Sequence, residues 1–541
     1  MTRPLDLGSL VLGSLGLLLG TAVPAAAEVT PADIFGDHMA LQAGVKAPIF
    51  GTTEPGGSVI VSPTVVTRGK GEAEFTFTGA PASQATADEN GRWQCEIGPF
   101  EAGQELLLIV LDADDATEEE RQTPMLGSLM NPDADLPNKK IFTDVLAGDV
   151  WLCSGQSNMA WQLQQTIDGD REIQAANDES IRLFTVPRTR AAEPRSEIDD
   201  RKPNSEESES RWVKLSPEAA SRFSAVGYHF GKTIRNATGR PVGLIDSSWG
   251  GTPSEAWTRP EKLAPIKSAG PLLERWANTP DDKTNRPHHR PGVLNNGMIA
   301  PLVPVALSGA IWYQGESNAG RAEQYDDLFP AMIEDWREQF GQELPFFWVQ
   351  LANFKAYQAD PNTGSDWAEL REAQDNTLDE LPNVGQAVIL DIGEARDIHP
   401  RNKADVGKRL ALAALESVYG VEGTGQTSPR LKAATIKGRT AVITFETDGD
   451  SLQNRRDAYQ TEPAGVLGFT VAGADRTFSR ATAEITGPNE VTVTAPEEVK
   501  EIAAVRYGWA DNPQVTLFNT RGLPAAPFRT DDWPGVTDGN Y

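Results

Sequence analysis

Between residue 147 and about residue 420, short and almost wholly apolar runs alternate with stretches whose apolar residues recur every three or four positions. That alternation constrains the fold more than any other feature of the chain. The runs "DVLAGDVWLC", "PVGLIDSSW", "VALSGAIWYQ", "LPFFWVQL" and "GQAVILDIG" lack a polar face, so they read as strands of a parallel sheet buried on both sides. Between them, Phe223, Val226, Phe230 and Ile234 mark one face of a helix that Gly239 stops, and Phe329, Ile333, Trp336 and Phe340 mark another. Strands alternating with helices predict a layered α/β domain over residues 147–423.

The flanks have a different texture. Residues 28–146 hold short β-like runs such as Ser58-Val-Ile-Val-Ser62, punctuated by Gly, Pro and the Asn90-Gly91 turn, and predict an antiparallel sandwich module. Its end carries an acidic insertion, "DADDATEEERQTPMLGSLMNPDADLPNKK". Residues 424–541 return to β texture and predict a second β-rich module. Ahead of all this, Met1 to Ala27 has a lone Arg3, an apolar run from Leu10 to Val23 and a terminal Ala25-Ala26-Ala27, which reads as a signal peptide. A secreted or periplasmic location is expected. No later segment is apolar for long enough to span a bilayer, so no stable membrane insertion is expected once the leader is removed.

A chain of 541 residues has room for roughly three or four units. Its 77 acidic side chains against 49 basic ones give a net charge of −28, which repels phosphate backbones and excludes nucleic acid as a partner. The acidity reads as a solvated surface. Cys95 and Cys153 fall in different modules, and spacing alone does not bring them within bonding range.

Four strand ends carry polar clusters, and the C-terminal edge of a parallel sheet is where open α/β folds build their sites. The first runs into Gly155-Gln156-Ser157-Asn158, the second into Ser248-Trp249-Gly250-Gly251-Thr252, the third into Gln314-Gly315-Glu316-Ser317-Asn318, and the fourth into "DIGEARDIHP". A serine hydrolase needs a hydroxyl, an imidazole, a group to orient it and oxyanion donors, and all four are present. Ser157 is the better nucleophile, since Gly155 permits a tight turn; the commoner use of Ser154 or Ser157 here is a helix cap. Met159 stands where an α/β-hydrolase elbow has its second glycine. Of the five histidines, His38 lies in the first module, His229 on a helix, and His288 and His289 in a Pro-rich loop that reads as solvated and lacks neighbouring metal ligands. His399 follows a strand, where a loop-borne base belongs.

"WLCSGQSNM", "SSWGGTPSEAW", "GAIWYQGESN" and "DIHPRNKADVGKRLA" together resemble the sialate O-acetylesterase family, whose catalytic domain is an SGNH (GDSL-like) hydrolase. The resemblance extends in order over nearly the whole mature chain, through "FGDHMALQ", "VLNNGMIAPL", "LPFFWVQLANF" and "AVRYGWADNPQVTLFNTRGLPAAPFRTD". It implies a three-layer SGNH-type domain, with Ser157 as nucleophile, His399 as base, Gly251 as backbone oxyanion donor and Asn318 as side-chain oxyanion donor. No cofactor or metal is implied. The general pattern of that superfamily puts an Asp three residues before the base, where this chain has Arg396. Asp397 is the first choice as orienter, Asp391 the second, and a Ser-His dyad the third. Gln156, Gln314, Glu316 and Trp161 are expected to contact the sugar or to support the site. The implied activity is hydrolysis of O-acetyl esters on sugars, sialate 9-O-acetyl esters or acetylated polysaccharide. A noncatalytic glycan-binding protein is the alternative from another class, and intact Ser157, Asn318 and His399 argue against it.

Overall fold

One strand, Lys139–Gly155 (β1), ties two parts of the protein together. The computed structural model describes residues 28–69, 75–113, 139–198, 210–421, 427–455 and 465–541. The expected leader and most of the acidic insertion lie outside the described residues. The first half of β1 pairs antiparallel with Glu105–Asp112 and parallel with Ala40–Gln42. From Asp149 onward the same strand is the centre of a different, parallel array. The 146/147 boundary drawn from sequence texture therefore lies inside a continuous strand.

That array follows with Ile181–Thr185 (β2), Val213–Lys214 (β3), Val242–Ser248 (β4), Gly309–Tyr313 (β5), Phe346–Val349 (β6) and Val384–Ala387 (β7), in spatial order β3-β2-β4-β1-β5-β6-β7. All neighbours are parallel except the edge strand β3. The chain leaves β1 toward β2 but leaves β4 and β5 in the opposite direction. Loops at the C-terminal ends of these three strands diverge, and diverging loops open a crevice.

Tryptophans show which helix covers which face. Register pairs Trp151 with Gly309 and Trp312 with Ser154, so the two indoles leave the sheet on opposite sides. Trp151 packs on Phe230 of helix Ala225–Thr238 (α1), with ring centroids 4.8 Å apart. Trp312 meets Trp336 of helix Ala322–Phe340 (α2) at 5.6 Å. Helix Asp366–Glu380 (α3) packs beside α2, and Lys403–Ser417 (α4) beside α1. The result is a helix–sheet–helix sandwich, as the sequence alternation predicts. Ser224 caps α1 by accepting from the Gly227 N–H, and Gly239 ends it at φ +71°.

The flanking modules are β-rich. Near the start, Thr30–Pro31, Ala47–Thr52 and Arg92–Ile97 form a three-stranded sheet. Near the end, two four-stranded sheets enclose a separate apolar core that includes Phe445, Phe469, Val491 and Tyr507. Val388 and Leu390, just past β7, belong to that second core. Arg371 of α3 is buried and donates to the carbonyls of Leu351, Ala352, Ala510 and Asp511, which holds the loop after β6 to the C-terminal module. Cys95 and Cys153 are both buried and unbridged.

Candidate active site

The turn that carries Ser157 begins with a glycine that no other residue can replace without strain. Gly155 has φ +136°, and a Cβ there would sit 2.3 Å from the Tyr313 carbonyl oxygen of the adjacent strand. This approach lets the chain turn sharply out of β1, after which the Gln156 carbonyl accepts from the N–H groups of Met159 and Ala160. Ser157 is lifted to the sheet edge, partly exposed. Gly155→Ala should abolish the turn, and its acetylesterase activity and denaturation midpoint should both fall well below those of the parent.

Burial separates the two candidate serines. Ser154 is wholly buried and donates its hydroxyl to the Ser247 carbonyl. Ser157 Oγ lies 2.9 Å from Nε2 of His399. His399 arrives on the loop between β7 and α4, and its ring stacks on the indole of Trp161 with centroids 4.6 Å apart and planes 15° from parallel. One face of Trp161 is thereby committed to the imidazole.

The choice between carboxylates is also geometric. Asp391 is held by a two-pronged ion pair with Arg409, at 2.6 and 2.8 Å. Asp397 instead places Oδ1 3.4 Å from His399 Nδ1 and accepts the His399 backbone N–H at 2.9 Å. The longer contact is beyond good hydrogen-bond length, so Asp397 acts on the ring mainly through charge. Burial lowers the His399 pKa, the Asp397 charge opposes that, and the nearby Lys403 charge adds to it.

A base must be neutral to accept a proton, so with His399 in the role of base proposed below, kcat/KM should fall as pH drops through a midpoint below the ordinary histidine range. Asp397→Asn removes the negative charge 3.4 Å from His399 Nδ1. Its acid limb should move to still lower pH while the plateau falls by about 10²-fold, less than the ~10⁴-fold reported for buried, tightly bonded orienters. Asp391→Asn should leave the limb in place. A pH–rate profile of the three proteins checks both statements.

The turn after β4 lies against Ser157: a Cβ on Gly250 would be 3.2 Å from Ser157 Cβ. Gly251 next to it is exposed, with φ +76°. Among the described residues, no backbone hydrogen bond occupies the N–H of Ser157, Gly250 or Gly251. Asn318 is buried, and its amide orientation is set from both ends. Oδ1 accepts from the Ser254 N–H at 3.0 Å and from Gln314 Nε2 at 2.6 Å, while Nδ2 donates to Glu255 Oε2 at 3.0 Å. Arg321 balances the Glu255 carboxylate at 2.8 Å.

Three of the residues expected to contact the sugar or to support the site are turned inward. Gln314 is fully buried, donating to the Thr252 carbonyl and to Asn318 and accepting from the Tyr325 hydroxyl. Its amide is used up in supporting Asn318. Glu316 points its carboxylate at Asn158, 2.5 Å away. Gln156 is buried too, with Oε1 accepting the Ser317 N–H at 3.3 Å. The histidine pair is half-buried: His288 stacks on Trp249 at 5.1 Å, and burial pushes the His289 pKa down to about 4. Asn158, Glu255 and Lys403 are parts of the site that residue-type reasoning passed over. Lys403 was legible in one respect, because a cation in the first turn of a helix opposes the helix dipole and calls for a specific partner.

The sequence pattern of the carbohydrate esterases described as sialic acid-specific acetylesterases matches residues 147–416. Human sialate O-acetylesterase (Homo sapiens) is 31% identical over 431 residues, which covers 72% of this chain and 77% of that protein. The chain belongs to the sialate O-acetylesterase family. The mouse (Mus musculus) sialate O-acetylesterase is 30% identical over 444 residues, 71% of this chain and 77% of its own. A crystal structure of a carbohydrate acetylesterase from Xanthomonas citri aligns with a TM-score of 0.74 and 36% identity, covering 93% of this chain and all of that one. This sialate O-acetylesterase family member is thus a carboxylic ester hydrolase with a carbohydrate esterase fold.

Proposed function

We propose that the protein is an exported carbohydrate O-acetylesterase with an SGNH-type catalytic domain, and that it works through an acyl-enzyme on Ser157. The 2.9 Å contact between Ser157 Oγ and His399 Nε2 carries this reading. Ser157 attacks the acetyl carbonyl as His399 takes its proton, and Asp397 stabilises the imidazolium that forms. The N–H groups of Ser157 and Gly251 and the Asn318 amide bind the tetrahedral oxyanion. His399 then protonates the departing sugar oxygen. Water, activated by the same imidazole, releases acetate.

Two substrates fit. The family description, sialic acid-specific acetylesterase, supports acetyl esters of sialic acid, for which we propose the 9-O type. A carbohydrate ester other than sialate, such as acetylated polysaccharide, is supported by the likeness to the Xanthomonas citri protein described as a carbohydrate acetylesterase, which is 36% identical with 93% of the chain covered. Acetate release from O-acetylated sialic acid, acetylated xylan and acetylated pectin, measured side by side, decides between them. The substrate with the highest kcat/KM names the class. No release from these or from a small chromogenic acetate would overturn the reading in favour of a glycan-binding protein.

A further inference from the structure

Beneath the Ser157–His399 pair lies a buried group of three side chains that the chemistry above does not use. Asn158, adjacent to the nucleophile, is 1% exposed and touches three separate segments. Its Nδ2 donates to Glu316 Oε1 at 2.5 Å, on the loop after β5, and to the Ile398 carbonyl at 3.0 Å, on the loop that carries the base. Its Oδ1 accepts from Lys403 Nζ at the start of α4. Lys403 is wholly buried, its Nζ lies 5.1 Å from the ring centroid of Tyr313, and the Glu316, Asp397 and Glu394 charges act on it. Glu316 Oε2 is buried with no hydrogen-bond partner among the described residues.

An ammonium has donors only and a carboxylate acceptors only, so the two charges dictate which end of the amide faces which way. With Oδ1 drawn to Lys403 and one N–H drawn to Glu316, the second N–H is delivered to the Ile398 carbonyl. That carbonyl immediately precedes His399. Burial works against both charges, pushing Lys403 down to about 7 and Glu316 up, and each offsets the cost of the other. A chain that needed only packing at this place would hold apolar side chains there. We propose that Asn158 is a positioning residue for the base: its amide, oriented between Lys403 and Glu316, grips the Ile398 carbonyl and sets His399 at bonding distance from Ser157.

The inference rests on the Ser157–His399 reading, and its test separates the two. Asn158→Ala and Asn158→Asp would be compared with the parent and with Ser157→Ala on a small acetate ester, alongside the rate of inactivation by a fluorophosphonate and circular dichroism. Asp keeps the size and the Lys403 contact, but it cannot donate to Ile398 and it sets a carboxylate against Glu316. In folded protein, kcat is expected to fall about 10²-fold in both variants, with KM within about threefold, because misplacement of about 1 Å has that cost. Phosphonate inactivation should slow in parallel. A merely structural role would lower the denaturation midpoint and leave kcat of the folded enzyme unchanged, which would overturn the proposal.

Should neither Asn158 variant fold, the pair Lys403→Met with Glu316→Gln decides, since it removes both charges while keeping size and an acceptor for Asn158. About a tenfold loss of kcat at unchanged KM supports the proposal, and parental kcat overturns it. A Ser157→Ala protein that keeps its turnover would instead sink the underlying reading, whatever the Asn158 variants do.

Discussion

Ser157→Ala is expected to fold as the parent does and to release acetate about 10⁶-fold more slowly, since removal of the nucleophile in a comparable serine hydrolase costs that much. The fold should survive because the Ser157 hydroxyl is partly exposed and its bond goes to His399, not to the core. Residual hydrolysis would come from the oxyanion donors and from binding alone. Circular dichroism and a coupled acetate assay on the same preparation measure both halves of the statement. Turnover within tenfold of the parent would place the chemistry on another residue.

Asn318→Ala should lower kcat by about 10²–10³-fold with KM nearly unchanged, the signature of a donor used in the transition state. The surroundings explain why the side chain is ready for that task. Ser254 and Gln314 both donate to its oxygen, so its Nδ2 is held in one direction without reorganisation during the reaction. The substitution leaves those two buried donors without their acceptor, and a stability loss of about 1–3 kcal/mol should accompany the kinetic one. Glu255 keeps its ion pair with Arg321, which limits the damage. Unchanged kcat with a raised KM would make Asn318 a substrate contact.

The layers of the catalytic domain were legible because burial on both faces leaves a plain mark in sequence. The limits of that mark are equally physical. Ile181–Thr185 went unread as a strand because Arg182 interrupts its apolar run. In the fold Arg182 is buried against Asp144 at 2.9 Å and the His38 carbonyl at 3.1 Å, so a charge stands where an apolar residue is expected. The run "GQAVILDIG" is a strand only over Val384–Ala387, since Val388 and Leu390 turn into the C-terminal core. Hydrophobicity says that a residue is buried and nothing about which core it enters.

At the site, Ser157 and His399 could be read from residue type and strand-end position. The directions of Gln314 and Glu316 could not. At the end of a strand, where regular alternation stops, a polar side chain meets either the crevice or the neighbouring loops. Only the partners Asn158, Asn318, Thr252 and Tyr325, brought together by β1, β4, β5 and α2, settle the matter. The Asp391 or Asp397 question has the same origin. The two carboxylates are six positions apart, and Arg409, on α4, takes the first away from His399.

The central claim is that one hydroxyl, on Ser157, forms the covalent intermediate. Its most direct test is to inactivate the full-length enzyme with a fluorophosphonate and to locate the adduct by tandem mass spectrometry of the peptides. The account predicts a single adduct on Ser157, formed in proportion to the loss of acetylesterase activity. An adduct on Ser154, Ser317 or any other serine that tracks the loss of activity, with Ser157 unmodified, would contradict it.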